Sequence, residues 1–196
     1  SSPGGDDYIS INASANSNWD NPAEKSTAIA FDKSILNTGD GNENIYLGAY
    51  ASGSGGPLEA YGALGSIINT GIGGADSLSI NAHANGSGVL EAYGATNTTI
   101  NTDDFSSPGG DDYISINASA NSNWGNPAEK STAIAFDKSI LNTGAGNDQI
   151  NLNANATGAE TYAYGALDSI INTGIGDDDL NINANTNDNT NWDPAV

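Results

Sequence analysis

Residues 169–185 read SIINTGIGDDDLNINAN: a short apolar run, a glycine corner, then a strict alternation of Leu180, Ile182 and Ala184 with Asn181, Asn183 and Asn185. A period of two describes a strand with one face turned inward and the other toward water. The same alternation follows each of the other glycine corners. The sets are Ile9, Ile11, Ala13, Ala15; Ile45, Leu47, Ala49, Ala51; Leu78, Ile80, Ala82, Ala84; Ile114, Ile116, Ala118, Ala120; and Ile150, Leu152, Ala154, Ala156. Two large residues followed by two small ones recur in register, so equivalent residues are expected to stack on each other. Helices are not expected, because Gly, Asn, Thr and Ser interrupt every helical face.

Working outward, the chain is a set of repeats within a repeat. Residues 1–39 and 106–144 are the same sequence except for Asp20 against Gly125. Inside that duplication, SIINT-like segments begin at Ser34, Ser66, Thr98, Ser139 and Ser169, in steps of 32, 32, 41 and 30 residues, and the first three steps together equal the long repeat. The longest step holds an insertion, NSNWGNPAEK at 121–130, which also occurs as NSNWDNPAEK at 16–25 and begins again as NTNWDPA at Asn189. A second strand runs through 26–32, 58–64, 90–96, 131–137 and 161–167. The SIINT segment supplies a third, with Leu36, Ile68, Ile100, Leu141 and Ile171 at its constant aliphatic place. A unit of about 30 residues cannot bury its thin apolar face alone and must stack on its neighbours at roughly 4.8 Å per rung. The expected fold is all-β: a parallel β-helix or β-solenoid of about six coils, with about three short strands per coil. Residues 1–196 form one array, long repeat 1–105 and partial copy 106–196, expected to be a segment of a longer one. Asn153, Asn155, Asn183 and Asn185 are placed to form amide ladders along the stack.

Charge narrows the function. The chain has 24 Asp and Glu against 4 Lys and Arg, for a net charge of −20, and Lys25, Lys33, Lys130 and Lys138 are its cations. Phosphate recognition requires cations whose contacts release counterions, so neither nucleic acid nor an anionic membrane surface is an expected partner. No apolar run is long enough to insert into a bilayer as a helix. Catalysis finds little support, and no enzyme activity is expected. His83 is the single imidazole, on an outward strand position that no repeat shares. Parallel β-helices can carry carboxylate chemistry on polysaccharides. Holding acidic sugars calls for cations, however, and arginine is absent.

The glycine corners carry the acidic residues. The segments GAGNDQI at 144–150 and GIGDDDL at 174–180 match the GxGxDxU core of the nonapeptide GGxGxDxUx, and through them the chain resembles the haemolysin-type, or RTX, repeat proteins. The matching residues are Gly144, Gly146, Asp148, Ile150 and Gly174, Gly176, Asp178, Leu180. The resemblance implies calcium held between successive coils by turn carbonyls and Asp carboxylates. Carried across, Asp7, Asp112, Asp148 and Asp178 take the ligand position and Glu43 replaces it in one coil. In GIGGADSL, Asp76 is displaced by one residue and Ala75 takes its place. The period is longer than two nonapeptides, so the acidic turns are expected along one edge only. There, two carboxylates ~5 Å apart at an effective dielectric near 20 repel by roughly 3 kcal/mol, which a shared cation would relieve. The strongest site is expected between the turns of residues 144–148 and 174–178. The competing reading is an Asp that only accepts backbone N–H bonds in its turn.

Aromatic residues form a second column. Tyr61, Tyr93 and Tyr164 share one place in the second strand, with Ile29 and Ile134 at the same place in the longer units. Self-supporting stacks are the commoner use of such rows, and contact with sugar rings is the other. Trp19, Trp124 and Trp192 lie in the inserted loops as ligand or assembly contacts. Together these features lead to the expectation of a secreted or surface-displayed structural repeat protein, a stalk, adhesin spacer or matrix fibre. It is expected to be stabilised by calcium and to associate with itself through coil-end stacking. The alternative is a carbohydrate-binding or polysaccharide-modifying module, with extracellular polysaccharide as the partner.

Overall fold

The computed structural model describes residues 5–17, 24–103, 109–122 and 130–188. Strands come three to a coil. The first coil is β1 (Tyr8–Ser17), β2 (Ser26–Asp32) and β3 (Ile35–Asn37), and the second is β4 (Asn44–Gly53), β5 (Leu58–Leu64) and β6 (Ile67–Asn69). The third is β7 (Ser77–Gly86), β8 (Leu90–Thr96) and β9 (Thr99–Asn101), and the fourth is β10 (Tyr113–Ser122), β11 (Lys130–Asp137) and β12 (Ile140–Asn142). The fifth is β13 (Gln149–Gly158), β14 (Glu160–Leu167) and β15 (Ile170–Asn172), and β16 (Asp179–Asp188) opens a sixth. The described chain therefore makes five full turns and one further strand, where the repeat count suggested about six coils. All pairing is parallel and lies between coils, giving one six-stranded and two five-stranded sheets.

Alternation in the sequence becomes stacking in space. Along the six-stranded sheet, Ile45, Leu78, Ile114 and Ile150 lie in one column and Leu47, Ile80, Ile116 and Leu152 in the next. Two alanine columns follow, beginning at Ala49 and Ala51. These residues are buried, and each fully buried Ile or Leu contributes about 1.5–3 kcal/mol. Alanine keeps the coil thin at one end. In the second sheet Phe136 is fully buried in a column otherwise occupied by Ala63, Ala95 and Ala166, with Phe31 at the equivalent place of the first coil.

The SIINT segment is a set of columns, each doing one job. Between the second and third sheets the chain turns through a left-handed residue: Lys33, Asn97, Lys138 and Asp168 have φ of 44°, 48°, 47° and 49°, and Gly65 has 58°. The next residue caps the corner, as Ser139 Oγ donates to the Asp137 carbonyl and accepts from the Thr98 N–H at 3.0 Å. The asparagines form a continuous amide ladder, Asn69 to Asn37, Asn101 to Asn69, Asn142 to Asn101 and Asn172 to Asn142, at 2.6–2.7 Å. Threonine hydroxyls continue it, with Thr38 donating to Thr70 O at 2.9 Å and Thr143 to Thr173 O at 2.8 Å. The ladder expected on the first sheet is also present, Asn183 to Asn153 at 3.0 Å and Asn185 to Asn155 at 3.1 Å.

Candidate functional site

The acidic residues form a column along the edge where each coil returns to the first sheet. Strand pairing puts Asp7, Glu43, Asp76, Asp112, Asp148 and Asp178 each immediately before an equivalent strand residue: Tyr8, Asn44, Ser77, Tyr113, Gln149 and Asp179. Asp76 therefore stands in the column, which corrects the expectation that Ala75 displaces it. The extra residue is absorbed in the turn itself, where Gly71, Gly73 and Gly74 all have positive φ. Counting back from the first inward aliphatic residue, rather than forward from glycine, would have found it.

The carboxylates of Asp76, Asp112, Asp148 and Asp178 are each bonded to the coil before it. Asp76 Oδ1 accepts from the Glu43 N–H at 3.0 Å, Asp112 Oδ1 from the Asp76 N–H at 2.9 Å, Asp148 Oδ1 from the Asp112 N–H at 3.0 Å, and Asp178 Oδ1 from the Asp148 N–H at 3.0 Å. Threonine hydroxyls hold the second oxygens of Asp76 (from Thr70) and Asp112 (from Thr102). These carboxylates do accept backbone N–H bonds, but from the neighbouring coil rather than within their own turn. This bonding leaves some oxygens over: both carboxyl oxygens of Glu43, which is 1% exposed, have no hydrogen-bond partner. Asp148 Oδ2 has none of normal geometry, although Thr143 lies close enough to favour its charged form.

Burial makes this column reluctant to ionise. Burial, followed by the facing Asp76 carboxyl, pushes Glu43 up to about 8. Burial, opposed by the bonds from Thr102 and Asp76, pushes Asp112 up to about 7, and burial also raises Asp148.

One acidic residue escaped the sequence reading. Asp103 follows Thr102 where the other units have Gly39, Gly71, Gly144 and Gly174. Its carboxylate accepts from the Gly73 N–H at 2.6 Å and the Gly110 N–H at 2.9 Å, bridging two turns. Burial raises its pKa, against those two bonds. The glycine corners themselves are tight. A Cβ at Gly174 would lie 1.5 Å from the Gly144 carbonyl oxygen, and one at Gly71 would lie 1.6 Å from that of Gly39.

The donor set for a cation is correspondingly limited. No three His, Asp or Glu side chains converge into a ready-made metal site among the described residues. Between the turns of residues 144–148 and 174–178, the Gly144 carbonyl accepts from the Ile175 N–H and the Ile175 carbonyl from the Gly146 N–H, both at 2.9 Å. An ion there would have carboxylates of two coils, Asp148 and Asp178, and whatever main-chain oxygen it could share. That oxygen chemistry suits calcium, but it supplies fewer than the six to eight ligands calcium takes.

Compared with family models, curated proteins and solved structures, the chain matches none of them. The fold is that of repeat β-helix proteins in general, and the RTX resemblance rests on the corner motifs alone.

The tyrosine column is assembled as the repeats indicate, Ile29, Tyr61, Tyr93, Ile134, Tyr164 in register. The Tyr61 and Tyr93 rings stack face to face, centroids 5.0 Å apart and 4° from parallel, while Ile134 separates Tyr164 from them. Tyr61 Oη donates to Glu59, which also pairs with Lys25 at 2.5 Å. Trp19, Trp124 and Trp192 lie outside the described residues. The outward rings of the first sheet were missed altogether. Tyr50 stacks on His83, centroids 5.3 Å apart and 11° from parallel, and the hydroxyls of Tyr46 and Tyr50 are bonded to each other. His83, read from sequence as a lone exposed imidazole, is half-buried, and burial lowers its pKa.

Proposed function

We propose that the chain is a structural β-solenoid working outside the cell as a spacer, stalk or fibre, and that calcium reinforces its acidic corner. One observation carries the scaffold reading. Polar ladders of Asn, Thr, Ser and Asp run from coil to coil along the described length, so the side chains of nearly every corner are committed to the coil beside them. The calcium reading is supported by the carboxylate column, by the two unpartnered oxygens of buried Glu43 and by the RTX-like corners at 144–150 and 174–180. Asp7, Glu43, Asp112, Asp148 and Asp178 are its proposed ligands, joined by Asp76. No catalytic role is proposed. Self-association is proposed to run coil face to coil face, by the same parallel stacking that joins the coils within the chain.

Thermal unfolding with calcium and with chelator tests the metal reading. An ion that binds only the folded chain raises the melting temperature in proportion to the logarithm of its concentration. A melting temperature indifferent to calcium would remove the metal and leave the solenoid. Electron microscopy of concentrated samples tests assembly separately. The carbohydrate-module alternative is favoured by the outward tyrosines. Tyr61 and Tyr93, however, cover one face of each other, which suits a self-supporting stack better than an open platform.

A further inference from the structure

The outward face of the first sheet breaks its own pattern in one place. In the first and fourth coils it carries Ser and Asn, as Ser10, Asn12, Ser14 and Asn16 and as Ser115, Asn117, Ser119 and Asn121, and in the fifth Asn151, Asn153, Asn155 and Thr157. The amides of Asn153, Asn117 and Asn81 are bonded in line, each Nδ2 donating to the next Oδ1 at 3.0 Å. The line ends at the second coil, where Gly48 stands next in register with Asn81. Tyrosines take the freed space. A Cβ at Gly48 would lie 2.9 Å from each of the Tyr46 and Tyr50 rings and 2.5 Å from Asn12 Oδ1. Tyr50 in turn stacks on His83 of the third coil.

Beside these rings is a cleft of about 390 Å³, lined by Tyr50, Ala51, Ser52, His83, Asn85 and Asn121. Register explains its shape. Tyr50, His83 and Ser119 form one column and Ser52, Asn85 and Asn121 the next, so two rings on neighbouring coils stand beside a polar column on the same face of the sheet. The column turns from aromatic to small at Ser119, so His83 has a ring on one side and only a serine on the other.

We infer that this cleft is a binding site for a neutral saccharide, with the face of His83 that Tyr50 leaves uncovered, on the Ser119 side, against the apolar side of a sugar ring and Ser52, Asn85 and Asn121 toward its hydroxyls. The size is at the small end of ligand pockets, suited to one or two sugar units. The lining selects the ligand class. Among the described residues no ammonium or carboxylate lines the cleft, so none of them offers an anion or a cation a counter-charge there. His83 adds no charge at neutral pH, since burial favours its neutral form. Rings presenting apolar surface beside amides and a hydroxyl are the recurring answer to a ligand that is itself apolar on its faces and polar at its rim. The site does not depend on calcium or on assembly, and it uses none of the acidic-corner residues.

As the single histidine, His83 is an unambiguous NMR reporter. Titrating the chain to about 10 mM with cellotetraose and with maltotetraose, the range in which weak millimolar sites fill, is expected to give saturable shifts of the imidazole signals with at least one of them. Tetragalacturonate, the anionic control, is expected to give none. Tyr50→Ser and His83→Ser install the residue that Ser14 and Ser119 already provide in the same column, so both should fold with near-native melting temperatures. Measured by calorimetry, each is expected to weaken binding at least about tenfold, while Asn153→Ser, elsewhere on the same face, leaves it unchanged. The inference is overturned if neither neutral sugar moves the His83 signals, if tetragalacturonate moves them equally, or if folded Tyr50→Ser binds as tightly as the parent.

Discussion

Replacing Asp112 by Asn is expected to stabilise the metal-free protein above neutral pH and to flatten its pH dependence. The folded protein holds the Asp112 proton up to about 7, against an ordinary value of 3.8. Because the folded state keeps that proton longer than the unfolded chain, the stability present below pH ~4 is lost as pH rises through about 7. The whole interval corresponds to about 4 kcal/mol, and solvent screening at this corner reduces it to about 2 kcal/mol. Asparagine preserves the bonding. Its Oδ1 still accepts from the Asp76 N–H, and its Nδ2 donates to Thr102 Oγ1, whose own hydrogen turns to the Thr143 carbonyl 3.4 Å away. The variant should therefore melt ~4–8 °C higher than the parent at about pH 8 in chelator, and close to it at about pH 4. Circular dichroism melts at the two pH values decide it. An equal or lower melting temperature at the higher pH, or parallel pH profiles for the two proteins, would refute the picture of a buried charge held against its preference. In calcium the same substitution removes one proposed ligand and should reduce any metal-dependent rise.

Two further substitutions probe the corners. Gly71→Ala puts a methyl group 1.6 Å from the Gly39 carbonyl oxygen at a φ of 112°, and is expected to cost ~3 kcal/mol or more, read as a fall in the denaturant midpoint. Lys138→Gly relieves a left-handed backbone at the place where Gly65 already sits, and is expected to add about 0.5–1 kcal/mol, seen as a small rise in melting temperature with unchanged secondary structure.

The fold was legible because its signal is redundant. Any one unit, such as Leu78 to Ala84, could be a strand in many folds, but the same order of sizes in successive units leaves stacking as the economical arrangement. What escaped was set by register rather than by composition. Asp76 was misplaced because glycine turns change length, whereas strands paired in parallel do not. Asp103 was passed over because it occupies a glycine place, and its role appears only when Gly73 and Gly110 are brought to its two oxygens. His83 looked isolated because its partner Tyr50 lies 33 residues earlier, one coil away. Aligning the outward residues as carefully as the inward ones would have exposed the Tyr46, Gly48, Tyr50 departure.

The long duplication has a consequence for how such a chain can change. β10 lies on β7 in the same register that it would offer to any block beginning with residues 1–39, because the two segments are nearly the same sequence. A gene-level duplication or loss of one 105-residue block would therefore create no new junction: every interface in the product already exists in the parent. Such a gene can recombine with itself and still encode a foldable rod, longer or shorter by three coils, or about 14 Å.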